Sequence, residues 1–477
     1  MEVFGCFSRF LVLRHSLHGR YLRQSAKRFW RTMASNPQNN SLQTADVDCR
    51  TDSENDTAEI TKPVTASISV EQESKVTDTS IQNANKEESS NVAGSQEGQS
   101  LTEQQDERAT DPPISFNVKS SLNKKDLVDR IKGVIYGNCI GDAIGLLTEF
   151  MTKSKAAEIY SRRGIVNKDK GYFSTSQKRI HLEYEMKNND SHRRKWETGD
   201  WTDDSDQMIL ILQSLLDNKG KMVPLDFAKK MKYWSRRGFP ELGDIGGMGI
   251  GSTTRRVLHH PDFLTDPHKA AEYVWDSSGR FVAPNGGVMR TSILGVHNFG
   301  DIYAVIENTK AACKVTHADP RCIASCVVVT TAIAMMLQGK CFVEESGSYD
   351  VEALIETACS YASATLETEE QEEGLKKHVF AKSLKNLQLD EHGKIGYTYK
   401  CLGAGIWSLR QDDFRAAIED VAFEAGDADT NGAVAGALLG CKLGASKLPE
   451  SWLNNLLNKA WLDEKIERFL ALLGLSE

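Results

Sequence analysis

Two short acidic runs stand far apart in the chain, Trp201-Thr202-Asp203-Asp204-Ser205-Asp206 and Gly426-Asp427-Ala428-Asp429-Thr430. Each joins carboxylates to a threonine hydroxyl and opens a segment of helical character. Taken singly, either run reads as a helix start, where threonine and aspartate satisfy free N–H groups and favour the helix dipole. The second also mimics the opening of an EF-hand calcium loop, but the twelfth position from Asp427 is Leu438, where a bidentate glutamate belongs, so that reading fails. Taken together, Asp203, Asp204, Asp427 and Asp429 with the hydroxyls of Thr202 and Thr430 form an all-oxygen donor set. Such a set suits Mg²⁺ or Mn²⁺ and does not suit zinc. Four carboxylates brought together repel strongly unless cations sit among them. Two ions about 3.5 to 4 Å apart can share such a cluster and leave an open face for vicinal hydroxyls or phosphate oxygens.

A third stretch, 243–254, reads Gly-Asp-Ile-Gly-Gly-Met-Gly-Ile-Gly-Ser-Thr-Thr just ahead of a plausible helix. Gly246, Gly247, Gly249 and Gly251 let backbone N–H groups close on phosphate oxygens, and Ser252 and Thr253 add hydroxyl donors. The run lacks the lysine of a nucleotide-hydrolysing P-loop; alone, it reads equally as a flexible linker. Tyr273, Trp275 and Phe281 follow as candidates to stack on a base.

The elements that must position these groups read as helices. Apolar residues recur at three- and four-residue spacing over 127–147, 206–216, 225–234, 301–310, 320–337, 351–365, 414–425, 430–443 and 452–473. Strand-like alternation is scarce, and glycine, proline and asparagine punctuate the intervals. The expectation is an all-α fold, a compact orthogonal helical bundle, in one domain over 116–477. Two helices carry glycine at every fourth position: Gly133, Gly137, Gly141 and Gly145 in one, and Gly432, Gly436, Gly440 and Gly444 in the other. Each interior glycine costs about 0.5 to 1 kcal/mol relative to alanine. Grooves without side chains explain them, because they let two helices approach below the usual 8 to 10 Å or so. The two helices are expected to pack seam to seam, which would bring Asp142 near Asp427 and Asp429.

The rest of the 477-residue chain bounds its biology. Residues 1–40 hold six arginines and Lys27 against the single acid Glu2, interspersed with aromatic and leucine residues, the make-up of a mitochondrial transit peptide. Met33 offers a second start and a cytoplasmic form. Residues 41–115 are polar and acidic, rich in serine and threonine, and cannot bury enough apolar surface to offset chain entropy, so a disordered linker is expected. The net charge of −8 owes much to that tract, and no basic stripe marks a nucleic-acid groove. Ten cysteines show no C-x-x-C pair or zinc-like spacing and read as reduced core residues. The uncharged run 322–337 is short for a membrane span and reads as a buried helix. Neither a nucleic-acid nor a membrane partner is expected.

Gly141-Asp142-Ala143-Ile144-Gly145, Trp201-Thr202-Asp203-Asp204 and Gly426-Asp427-Ala428-Asp429-Thr430-Asn431-Gly432-Ala433, in this order, resemble the ADP-ribosylglycohydrolase family. The resemblance spans about 127–443 and implies an all-helical enzyme that uses a dimagnesium centre to release ADP-ribose from its conjugates. It implies that Thr202, Asp203, Asp204, Asp427, Asp429 and Thr430 hold two Mg²⁺ ions, with Mn²⁺ as a substitute. Asp204 and Asp429 would also take part in catalysis. Asn285-Gly286-Gly287-Val288-Met289-Arg290 and Thr316-His317-Ala318-Asp319-Pro320 are similar to segments that wall the substrate cleft, which implies substrate contacts for Asn285, Gly286 and His317. Glu149 falls where relatives place a functional glutamate on a loop, gating the cleft or handling the proton of the attacking water. Its plain reading is a surface carboxylate. The family also holds crystallin-like and degenerate members, and a metal-dependent phosphatase is a further alternative. The conjugate cleaved stays open. The segment 174–195 departs from the compact family pattern and could reshape the cleft mouth. A monomer is expected.

Overall fold

The computed structural model describes residues 119–160, 181–343 and 346–476. The leader and linker of the sequence reading, with Cys6, Cys49 and the first part of the 174–195 segment, lie outside the described residues. In chain order the helices are α1 (Lys124–Gly145), α2 (Lys153–Tyr160), α3 (Asp203–Asp217), α4 (Pro224–Arg237), α5 (Ser252–Leu258), α6 (Pro267–Asp276), α7 (Ser292–Val296), α8 (Ile302–Cys313) and α9 (Pro320–Gln338). They continue with α10 (Val351–Ser363), α11 (Glu369–Val379), α12 (Leu384–Leu387), α13 (Thr398–Leu409), α14 (Phe414–Glu424), α15 (Ala428–Leu443), α16 (Glu450–Asn455) and α17 (Lys459–Leu472). A two-residue antiparallel pair, β1 (Phe342–Val343) with β2 (Ser348–Tyr349), completes the all-α fold.

The centre of the fold is the antiparallel pair α1 and α15, whose contact is the most extensive between any two described elements. Glycine is what permits it. A Cβ added to Gly133, Gly137 or Gly141 would sit 2.1, 2.1 and 1.9 Å from the carbonyl oxygens of Gly440, Gly436 and Gly432. The reverse substitutions meet the same backbone, at 2.1 Å from Gly141 O for Gly432, 1.9 Å from Gly137 O for Gly436 and 2.1 Å from Gly133 O for Gly440. The expected seam therefore exists, with one correction at its end. Gly145 faces the carbonyl of Ala428, while Gly444 leaves the seam, caps α15 at φ +89° and abuts the carboxylate of Asp129.

Around this pair, α13 and α14 pack on α15, and α9 runs through the core against α7, α8 and α10. Asp319 caps α9 by accepting from the Arg321 N–H, Pro320 takes the first turn, and Gly339 ends it at φ +74°. Because neighbours surround it, α9 is apolar on every side, and all but two of its residues are buried. Of the eight described cysteines all are free and all but Cys341 are buried, as the sequence led us to expect.

The expected helix 452–473 is in fact two. Asn458 takes the left-handed conformation at φ +63°, and the chain before it docks on the turn at Gly199 through Leu457 N–H donating to Gly199 O at 2.8 Å. Six helices carried no expectation: α2, α6, α7, α11, α12 and α13. α11 is mostly charged and buries only Leu375 and Val379, so it has no apolar stripe to read.

Candidate functional site

The glycine seam brings the two acidic corners together. Asp142, on the last turn of α1, is fully buried and accepts from the N–H of Thr202 (3.0 and 3.1 Å to its two oxygens), the N–H of Ser205 (3.0 Å) and the Ser205 hydroxyl (2.7 Å). It thus ties the start of α3 to α1. At that start Thr202 plays both of its roles: its oxygen caps the Asp204 N–H, and its hydroxyl donates to Asp204 Oδ2 at 2.9 Å. The other corner is the start of α15, where Asp427 makes no cap bond. Its carboxylate accepts instead from Asn285 Nδ2 at 2.8 Å and from the Thr430 hydroxyl at 3.3 Å, and Asp429 accepts from the Thr430 N–H at 2.8 Å.

The carboxylates form two groups that share one member. Oxygens of Asp142, Asp204 and Asp429 lie within 4.8 Å of one another, and so do oxygens of Glu149, Asp427 and Asp429. Asp429 is the bridge. Burial, reinforced by the neighbouring carboxylates, holds Asp203, Asp204 and Asp429 well above the usual carboxylate range. Burial also raises Asp427, with the Glu149 charge second, and pushes Asp142 up to about 6 against the pull of its four donors. Asp204 Oδ1 is buried without a hydrogen-bond partner among the described residues. An unpartnered buried oxygen beside acceptor-only neighbours is the signature of a site completed by a cation, so the cluster fits a metal site. Asp203 sits beside the two groups, with Oδ2 held by Gln207 Nε2 at 2.7 Å.

Glu149 is not a surface carboxylate. It is 5% exposed, and the segment arriving at 190–196 holds it there. His192 Nε2 hydrogen-bonds Glu149 Oε2. Arg193, itself buried, donates through Nη2 to the Glu149 carbonyl and through Nε to the Leu147 carbonyl at 3.0 Å, while Asp190 grips its Nη1. Phe150, Trp196 and the His192 ring pack together, with ring centroids 4.8 and 4.7 Å from His192. Sequence reasoning assigned nothing to His192 or Arg193, and no local signal marked them. It also left Asp142 out of the metal set, although the seam pointed to its position.

The glycine-rich loop reaches the cluster. A Cβ on Gly249, which has φ +89°, would fall 2.2 Å from Asp203 Oδ1, so only glycine lets the backbone pass here. Gly247 lies on the Trp234 indole, where a Cβ would meet the ring at 2.8 Å, and Gly247 N–H donates to the Trp234 carbonyl at 2.9 Å. Trp234 and Trp201 both donate their indole N–H to Asp206, at 3.0 and 2.8 Å. Asp206 therefore joins the first acidic corner to the loop, a role the sequence left unread. Gly246 is loosely packed, Gly251 has open space around it, and Ser252 is exposed at the first turn of α5. Across the cleft, His317 lies against Gly286, whose added Cβ would sit 3.0 Å from His317 Nε2. Trp275 lines the same cleft; Tyr273 and Phe281 are mostly exposed, and Tyr273 packs on His260.

A helical domain that buries this many carboxylates about one bridging aspartate holds an acidic cluster that fits a metal site. The chain belongs to the ADP-ribosylglycohydrolase family, whose sequence profile matches residues 123–477, and it is a hydrolase of that family. It is 23% identical over 353 residues to the ADP-ribosylarginine hydrolase Tri1 of Serratia proteamaculans, covering 73% of this chain and 80% of that one. With the ADP-ribosyl-[dinitrogen reductase] glycohydrolase of Rhodospirillum rubrum it shares 24% identity over 352 residues, 73% of this chain and 97% of the other. A solved structure described as an ADP-ribosylglycohydrolase-related protein complex shares the fold, with a TM-score of 0.51 at 22% identity over 74% of this chain and 100% of that one.

Proposed function

We propose that the chain hydrolyses the glycosidic bond between ADP-ribose and a conjugate, an ADP-ribosylated protein or a small ADP-ribose derivative, with Mg²⁺ at the carboxylate cluster. The observation that carries this reading is the pair of carboxylate triples sharing Asp429. Thr202, Asp203, Asp204, Asp427, Asp429 and Thr430 would hold two ions, with Asp142 and Glu149 at the edges of the set. Bound there, such ions would supply Lewis acidity towards a water and the hydroxyls of the distal ribose. Cleavage at the anomeric carbon builds positive oxocarbenium character, which nearby carboxylates would stabilise. Glu149, held by His192 and Arg193, takes the proton of the attacking water. The loop with Gly249 and Gly251 receives the diphosphate, and its open space at Gly251 supports that assignment.

Losing even an outer partner of a metal ligand costs about 10- to 100-fold, so Asp429→Asn is expected to cut Mg²⁺-dependent release of ADP-ribose by more than about 100-fold. Helical circular dichroism should stay near wild type. Turnover unchanged in the variant would remove the assignment. Inorganic phosphate as the product, in place of ADP-ribose, would favour phosphatase chemistry at the same cluster.

A further inference from the structure

A buried chain of hydrogen bonds leads from the acidic cluster to His317. Arg290 can only donate, so the Gln207 atom that meets its Nη1 is the amide oxygen, which turns Gln207 Nε2 towards Asp203 Oδ2, 2.7 Å away. Arg290, fully buried, donates through Nη1 to that oxygen at 2.8 Å and through Nη2 to Thr316 Oγ1 at 2.7 Å. Thr316 Oγ1 is also 2.7 Å from His317 Nδ1. A guanidinium has no acceptor, so the threonine oxygen accepts from it, which leaves that oxygen one lone pair and its own hydrogen, with Nδ1 within reach of the hydrogen. The far nitrogen, Nε2, has no bonding partner among the described residues. The His317 ring lines a narrow cleft together with Thr253, Arg256, Trp275 and Pro284. His317 is itself 3% exposed, so this polar edge is the part of the ring the cleft can reach.

We propose that Gln207, Arg290 and Thr316 act as positioning residues that fix His317 as the neutral tautomer with its proton on Nε2, and that this N–H donates to an oxygen of bound ADP-ribose. The inference rests on the proposed ADP-ribose chemistry for its ligand but not for the tautomer. It makes the first acidic corner and the far cleft wall one connected unit: Gln207 joins Asp203 to Arg290, and Arg290 takes up one of the two lone pairs of Thr316 Oγ1.

The test uses the full chain, with ADP-ribose as the probe in calorimetric titrations and ¹⁵N-histidine labelling as a second measurement. Thr316→Val is expected to weaken ADP-ribose binding at least about 10-fold, since the ring loses the hydrogen bond that holds its orientation as well as its tautomer, and tautomer exchange alone would cost only about two-fold. Thr316→Ser, which keeps the hydroxyl, is expected to restore the affinity. Glutamine at position 317 carries an amide N–H whatever Thr316 does, so in the His317→Gln background Thr316→Val should cost nothing further. An equal loss in both backgrounds would mean that Thr316 serves packing alone, and the inference falls. A proton found on Nδ1 of His317 in the wild-type spectrum overturns it too, whether or not ADP-ribose binds. Wild-type protein that shows the Nε2 proton yet binds no ADP-ribose leaves the tautomer assignment standing and refutes the proposed substrate instead.

Discussion

Asp142, Asp204 and Asp429 face one another in a buried space, and that arrangement has a measurable consequence for stability. An acid whose folded pKa is raised holds more protons folded than unfolded. Its favourable contribution is therefore full below the unfolded pKa and is lost as pH rises through the folded value. For Asp142 that window runs from 3.8 to about 6, and burial raises Asp204 and Asp429 in the same direction. Metal-free protein should accordingly be destabilised by its cluster more near neutral pH than in acid, and a cation competes with fewer protons there. Saturating Mg²⁺ at about 100 times its Kd stabilises by about 2.7 kcal/mol, so the melting shift it causes should be clear near pH 7.5 and much smaller near pH 5. Equal shifts at the two pH values, after chelator treatment, would show that no ion enters these carboxylates. The aspartates at 203, 204, 427 and 429 were legible because carboxylates and a threonine clustered locally in the chain. The burial of Glu149 was not, since it depends on His192 and Arg193, more than forty positions away along the chain.

At the scale of elements, the α1–α15 seam decides whether the two corners meet at all. Four-residue glycine spacing made that pairing readable in advance, because backbone contact is one of the few tertiary features that demands a single residue type. Gly436→Ala would place a methyl group 1.9 Å from the Gly137 carbonyl oxygen, with backbone on both sides and no flexible side chain to yield. Overpacking of this kind costs about 1 to 3 kcal/mol where neighbours can shift, and here a loss of at least about 3 kcal/mol is expected in denaturant melts, with Mg²⁺-dependent activity falling alongside. Gly251→Ala is the control. Gly251 has φ −62° and nothing within 4 Å of an added Cβ, so stability should move by no more than about 0.5 kcal/mol. Comparable losses at both positions would mean the seam is not the close contact its geometry describes. Other elements were less legible for a physical reason. α13 carries Gly403 and Gly405 where Leu387 and Val434 press in, so its periodicity is blurred by residues chosen for clearance. The break at Asn458 answers to the docking of Leu457 on Gly199, which no local pattern announces.

For the whole molecule, the question is where the folded unit starts, and the chain's own bonds argue the answer. The Ser120 hydroxyl donates to the Leu337 carbonyl at 2.6 Å, and Ser121 N–H donates to the Gln338 carbonyl at 3.1 Å. These occupy last-turn carbonyls of the core helix α9 that no helical N–H can reach. Close by, Gly339 is held to glycine by the Ser121 hydroxyl, 1.9 Å from where its Cβ would stand. At the other end Lys124 Nζ donates to the Ser476 carbonyl at 2.7 Å, which ties the start of α1 to the chain beyond α17. The family match begins at residue 123, just after the two serines, so homology alone would place the boundary a few residues too late. A chain of residues 116–477 is expected to melt within a degree or two of the full-length protein. One beginning at Lys124 leaves two α9 carbonyls unpaired, at about 0.5 to 1.5 kcal/mol for each net hydrogen bond lost, and should melt measurably lower. Scanning calorimetry on the two truncations decides it. If they melt together, the residues at 119–123 are ornament and the helical domain is self-sufficient from α1 onward; if the longer one already melts well below the full chain, the acidic tract contributes to the fold and the domain boundary moves towards the N-terminus.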